Sequence, residues 1–162
     1  MGEQYPGGPT WGYANSGIMF HGQTPQSMGV DQFFPVAIEV QLLASDSGAV
    51  RPTANVCTPG THIVLDGKLH TEHCTNSTSR TFPLGEWVTV ELEVHGDKLV
   101  RHKVGGQTVL EYSGPQLDEK DRDAQRLIAV GAKTPLTSGT ISLQSESHPI
   151  EFRKVELKRL SE

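Results

Sequence analysis

From Trp87 to His95 the apolar residues Val88, Val90, Leu92 and Val94 alternate one for one with Thr89, Glu91, Glu93 and His95. A period of two puts every second side chain on one face, so this segment reads as a half-buried strand with a solvated outer face. The same pattern runs from Val36 to Leu43, where Val36, Ile38, Val40 and Leu42 alternate with Ala37, Glu39, Gln41 and Leu43. Glu39 and Gln41 therefore point the same way. Gly96-Asp97 links the Trp87 strand to Leu99–Val104, and Gly105-Gly106 leads on to Thr108–Tyr112, a meander of hairpins. Later, Ile141 and Leu143 face one way and Ser142, Gln144 and Glu146 the other. Ile150 and Phe152 share a parity that Val155 and Leu157 do not, which a bulge near Arg153-Lys154 would reconcile within a last strand. The charged segment Pro115–Arg126 reads as a surface loop or one short helical turn. No helical stripe of useful length occurs, and the 17 Gly and 10 Pro are scattered as turn punctuation. A chain of 162 residues suits one domain, so the expectation is a single all-β domain over 1–162, an antiparallel β-sandwich.

Charge narrows the partners. The 14 Lys and Arg stand against 19 Asp and Glu, a net charge of −5, which argues against a nucleic-acid partner because phosphate neutralisation needs concentrated basic surface. No stretch approaches the roughly 18 apolar residues of a membrane-spanning helix, so no membrane partner is expected. The opening MGEQYPGGPTWGY lacks the basic and apolar regions of a secretory signal.

Cys57 and Cys74 flank a hairpin made of Thr61–Leu65, the turn Asp66-Gly67 and Lys68–Glu72, so the turn brings them together and a disulfide is expected. A zinc site competes with it, since His62, His70 and His73 share the segment, but C-x4-H-x7-H-x2-H-C matches no standard ligand spacing. Two free thiols are the third alternative. No metal site is identified by spacing; a divalent cation, calcium or zinc, stays open, with Asp31, Asp46 and Asp66 as loop carboxylates that more often mark plain turns. Asn76-Ser77-Thr78 fits the N-glycosylation pattern, which is common by chance.

Among seven histidines, His21, His62 and His148 stand beside turns or strand breaks, where sandwiches place functional side chains. Glu39 and Gln41, and again Gln144 and Glu146, interrupt apolar strands on one face. A solvated outer face explains them as well as a polar site does. Two carboxylates on one sheet could form a general acid and base pair. No G-x-S-x-G elbow, P-loop, dinucleotide fingerprint or H-E-x-x-H is present, which removes serine hydrolase, kinase and zincin readings.

Taken together, NSGI at Asn15 to Ile18, FPVAIEVQLL at Phe34 to Leu43, GEWVTVELEVHGD at Gly85 to Asp97 and GTISLQSESHPIEFRKVELKRL at Gly139 to Leu160 resemble the 3-keto-disaccharide hydrolase family. The resemblance covers nearly the whole chain from Asn15 onward. It implies a concanavalin A-like β jelly roll in an exported bacterial protein, periplasmic or extracellular. It also implies further strands upstream of the Asn15 motif, which only about a dozen residues precede here. The expectation is a jelly roll without N-terminal strands, or with strands supplied otherwise, whose exposed sheet edges invite homo-oligomers.

The implied activity is cleavage of 3-keto-glycosides or 3-keto-disaccharides by elimination and hydration, since a ketone at C3 acidifies the neighbouring C2–H. A base, an enolate stabiliser and an acid for the leaving group are required. Glu39 or His21 is the expected base, and Glu146 and His148 the next candidates, as acid. Asn15, Gln41 and Gln144 are expected to bind the sugar, with His62 a further binding candidate. A non-catalytic, lectin-like carbohydrate-binding domain is the alternative, because one fold hosts many functions. Trp11, Tyr13 and Phe20, near the N-terminal motif, would be its aromatic platform or simply core.

Overall fold

A computed structural model describes residues 3–160. It contains ten strands and one α-helix in the order β1 (Asn15–Gly22), β2 (Ile38–Leu43), β3 (Asn55–Cys57), β4 (Thr61–Leu65), β5 (Lys68–His70), β6 (Cys74–Thr75), β7 (Val90–His95), β8 (Leu99–Val104), β9 (Gln107–Leu117), α1 (Arg122–Ala129) and β10 (Thr140–Ser145). The strands form two five-stranded antiparallel sheets, ordered β10-β1-β2-β3-β6 and β5-β4-β9-β8-β7. This is the β-sandwich the alternating patterns require.

The core lies between the sheets. Phe20, Ile38, Val40 and Val56 of the first sheet pack with Ile63, Val100 and Tyr112 of the second. Within it, His102 and Tyr112 form a fully enclosed polar pair: His102 Nδ1 lies 2.9 Å from the Ala54 carbonyl and Nε2 lies 2.8 Å from the Tyr112 hydroxyl. A carbonyl only accepts, so Nδ1 carries the proton and Nε2 accepts the tyrosine O–H. Burial lowers the His102 pKa to about 4, which keeps the ring neutral.

The hairpins follow their sequence signals. Asp66 and Gly67 both adopt positive φ, 51° and 73°, as a two-residue type I′ turn requires. Cys57 and Cys74 sit directly opposite one another in the β3–β6 ladder and form a disulfide with a Cα–Cα distance of 4.1 Å. That bond removes both thiolates from any zinc site. No helix among the described residues is long and apolar enough to cross a membrane.

Two segments differ from expectation. Pro115–Arg126 is neither loop nor single turn: β9 continues to Leu117, and α1 starts after Asp121, whose carboxylate accepts the N–H groups of Asp123 and Ala124. Such a cap satisfies amides that a helix N-terminus leaves open. The helix is held because Ala124 packs with Val36 and Leu117, beside Leu127, Ile128 and Leu136. The second difference is the C-terminal strand through Ile150, Phe152, Val155 and Leu157, which is absent. Among the described residues no strand pairs with that segment, and without paired backbone a strand does not form. Lys154 has φ of +54°, and Val155 and Leu157 are 67% and 80% exposed.

Candidate functional site

The outer face of the first sheet carries the polar residues. Ladder partners share a face, so the pairs Met19–Glu39, Gly17–Gln41, Gly17–Gln144, Glu39–Cys57 and Gln41–Asn55 put Glu39, Gln41, Gln144, Asn55 and Cys57 on one surface. The alternate residues Ile18, Phe20, Ile38 and Val40 enter the core. Gly17 lies at the centre of this surface. A Cβ there would collide with Glu39 Oε1 and stand 2.8 Å from Gln144 Oε1, so a larger residue would push both side-chain ends from their present positions.

A chain of hydrogen bonds joins the second carboxylate to this cluster. Asn15 Nδ2 donates to Glu146 Oε2 at 2.8 Å, and Gln144 Nε2 donates to Glu146 Oε1 at 2.7 Å. Both Glu146 oxygens are thus met by N–H donors, as an ionised carboxylate requires. Glu39 is the opposite case. It is 5% exposed and its Oε1 has no partner. Burial, with Glu146 nearby adding like-charge repulsion, pushes its pKa up to about 8. Burial also raises Glu146, but the Gln144 amide opposes that shift. Asn15 Oδ1 and Gln144 Oε1 are likewise buried and unpaired. Three acceptors on this face are thus both enclosed and unpaired, and hydrogen-bond donors would satisfy them.

Gln41 is oriented from its other side. Its Oε1 accepts Asn55 Nδ2 at 3.2 Å, and Asn55 also donates to the Pro52 carbonyl and accepts the Ser77 N–H. Asn55, 1% exposed, therefore ties three segments together behind Gln41. Ser77 is itself buried, although Asn76 of the glycosylation pattern is exposed.

The histidines scatter. His21 occupies a bulge between Met19 and Gly22 with φ of +49°, and its Nε2 lies 3.2 Å from the carbonyl of Gly96, in the β7–β8 turn of the other sheet. Burial lowers its pKa. His62 stands on the second sheet, where its Nε2 lies 3.3 Å from Asp118 Oδ1. Neither is brought to Glu39. His148 is nearer: it lines a 510 Å³ cleft together with Glu146, Ser145 and Tyr5, and its ring meets Tyr13 edge-on at 5.0 Å. Glu39 is not part of that cleft's lining.

Of the expected aromatic platform, Phe20 is core, Tyr13 donates to Asp46 and packs on His148, and only Trp11 remains. Its neighbours are Phe33 and Phe34, which no sequence periodicity connected to it. Gly17 and Asn55 were likewise not singled out by sequence reasoning. The glycine in NSGI, one position from an apolar strand residue, was the available signal for a close approach; Asn55 gave none. Among the described residues no three His, Cys, Asp or Glu side chains gather as a metal would need.

Two antiparallel five-stranded sheets, with carboxyls and amides bonded to one another on one outer face, define the class: a β-sandwich with a polar site on a sheet face. Within that class, the chain belongs to the 3-keto-alpha-glucoside-1,2-lyase-like domain family, whose profile matches residues 4–158. No curated protein and no solved structure matches it.

Proposed function

We propose that the chain cleaves glycosides oxidised to a ketone at C3, with Glu39 as the base. The observation that supports it most is the unpaired, buried Glu39 carboxyl with its pKa pushed up to about 8. A carboxylate of that basicity is suited to a carbon acid near neutral pH. It takes the proton from C2, the C–H electron pair forms the C1=C2 bond, and the glycosidic oxygen departs from C1. Glu39, then protonated, returns the proton to that oxygen, and water adds at C1 of the resulting enone.

Gln41, whose Oε1 is committed to Asn55, offers its Nε2–H to the C3 oxygen as charge develops there. Asn15 and Gln144 accept sugar hydroxyls. Glu146, met by two donors, serves as the fixed negative charge that keeps Glu39 basic, and His148 borders the adjoining cleft. Family membership supports the substrate class.

The test is release of aglycone from a 3-keto-glucoside against its unoxidised parent. Selective cleavage is expected, with Glu39→Gln lowering kcat by about 10²–10⁴-fold while the fold, followed by circular dichroism, is retained. Full turnover in that variant would remove Glu39 from the role. The second reading, sugar binding without turnover, draws support from the exposed Trp11, and it is the result if the unoxidised glycan binds and no ketone is cleaved.

An oxidising, exported setting is supported by the Cys57–Cys74 bridge. Self-association through the β10 edge is supported by Ile141 and Leu143, 58% and 44% exposed on the side that should face a core; sedimentation velocity reads it directly.

A further inference from the structure

The polar face leaves one neighbouring feature unused, a group of solvent-facing aromatic rings. Trp11 precedes β1 at its Asn15 end, whereas Phe33 and Phe34 lie in the connection that leaves its Gly22 end. The eight residues of β1 separate those ends by about 25 Å at the usual rise. The two segments nevertheless meet: the Trp11 ring lies 6.4 Å from Phe33 and 6.5 Å from Phe34, which are 4.8 Å from each other. They meet by running along β1, and its inner face is filled by the second sheet. The cluster accordingly lies on the outer-face side of β1, with the Trp11 carbonyl bonded to Asn15. Consistent with such a cover, Met19 and Glu39 are 3% and 5% exposed although no strand of either sheet packs over them.

The rings are presented, not buried. Trp11 is 50% and Phe33 78% exposed, an arrangement that wastes apolar surface unless something covers it. They are also held in place. Gln32 Nε2 donates to the Phe34 carbonyl at 2.7 Å and to Gln23 Oε1, which in turn accepts the Val36 N–H at 2.7 Å. The Trp11 carbonyl accepts Asn15 Nδ2 at 3.1 Å, from the same nitrogen that donates to Glu146. The Trp11 backbone is thereby tied to the carboxyl cluster: an apolar end, whose rings meet edge-on or tilted at 74° and 54°, adjoins an end that holds unpaired acceptors. A pyranose has apolar C–H faces and a rim of hydroxyl donors, which is the complement of that surface.

We infer that Trp11, buttressed edge-on by Phe33 on the loop that Gln32 holds, forms a stacking wall for the second sugar ring, the one joined through the scissile bond to the ring that meets Glu39. This rests on the reading of Glu39 as the reacting group. The wall makes the chain selective for disaccharides over glycosides with small aglycones.

Trp87→Phe leaves Trp11 as the sole tryptophan, and its emission is titrated with maltose, cellobiose and glucose. A saturable shift with at least one disaccharide, about tenfold weaker with glucose, and lost on adding Phe33→Ala, is expected. In turnover, Trp11→Ala raises KM for the 3-keto-disaccharide about tenfold more than KM for the methyl 3-keto-glucoside, with kcat for the disaccharide nearly unchanged. Gln32→Ala weakens disaccharide binding in the same direction. A silent Trp11 emission together with equal KM changes for the two substrates overturns the wall and leaves the Glu39 reading standing. If the wild type turns over neither substrate, the Glu39 reading fails, and the emission titration still decides whether the wall binds sugar.

Discussion

Replacing Glu39 by Gln changes how stability depends on pH, and the size of the change follows from the site. The Glu39 pKa is about 8 in the folded chain against an ordinary value of 4.5. The unfolded chain releases this proton near pH 4.5, and the folded chain keeps it until about pH 8. Between those values the folded state binds more protons, so rising pH favours unfolding, by about 1.4 kcal/mol per pH unit once the unfolded carboxyl has ionised. The accumulated cost is about 1 kcal/mol at pH 5 and about 4 kcal/mol at pH 7.5, a difference of about 3 kcal/mol. Gln has nearly the same shape and no proton to lose, so Glu39→Gln removes this dependence. His102 has the reverse sign: its folded pKa of about 4 lies below the ordinary 6.5, so its contribution is intact above 6.5 and fades as pH falls toward 4. It acts equally in both proteins and cancels in their difference. Urea unfolding of wild type and Glu39→Gln at pH 5 and 7.5 should show the variant gaining about 3 kcal/mol relative to wild type on going to the higher pH. A gap that does not change with pH would refute both the buried, proton-bearing Glu39 and the electrostatic argument for its basicity.

Three further predictions concern the surroundings. Gly17→Ala places a methyl against Glu39 Oε1 and displaces that carboxyl, so turnover should fall about tenfold while circular dichroism stays native; unchanged turnover would mean that the carboxyl position is not critical. Tyr112→Phe strips the enclosed His102 Nε2 of its donor and should cost about 1–3 kcal/mol in urea unfolding, with turnover unchanged. Breaking the bridge with Cys57→Ser and Cys74→Ser, 17 residues apart, should lower stability by about 2–4 kcal/mol, measured against the oxidised wild type.

Much of this arrangement could be read in the linear pattern because a strand's side-chain period is fixed. The alternation in β2 and β10 placed Glu39, Gln41 and Gln144 on one face, and the Asp66-Gly67 turn brought Cys57 and Cys74 together. What stayed hidden depended on irregular backbone. The bulge at His21 turns a residue that alternation alone would misplace, and no pattern announces a positive φ at histidine. The helix α1 was missed because its apolar residues Ala124, Leu127 and Ile128 straddle the end of a charged run whose composition suggests loop. The meeting of Trp11 with Phe33 depends on two connections folding toward each other, which carries no local signature. Parity likewise suggests a strand beyond Ile150, but a strand is a relation between neighbours, and among the described residues that segment pairs with no other strand.

In β2 the residues of the site and of the core take turns one by one, Ile38, Glu39, Val40, Gln41, Leu42. Adding or deleting a single residue there would drive a carboxyl and an amide into the apolar interior and turn Ile38 and Val40 outward. Evolution cannot tinker with the length of this strand; specificity can drift only by substitution on the outer face, or by reshaping the loops that carry Trp11 and Phe33. The polar face and the core are thus bound to one strand register, and novelty is left to the connections.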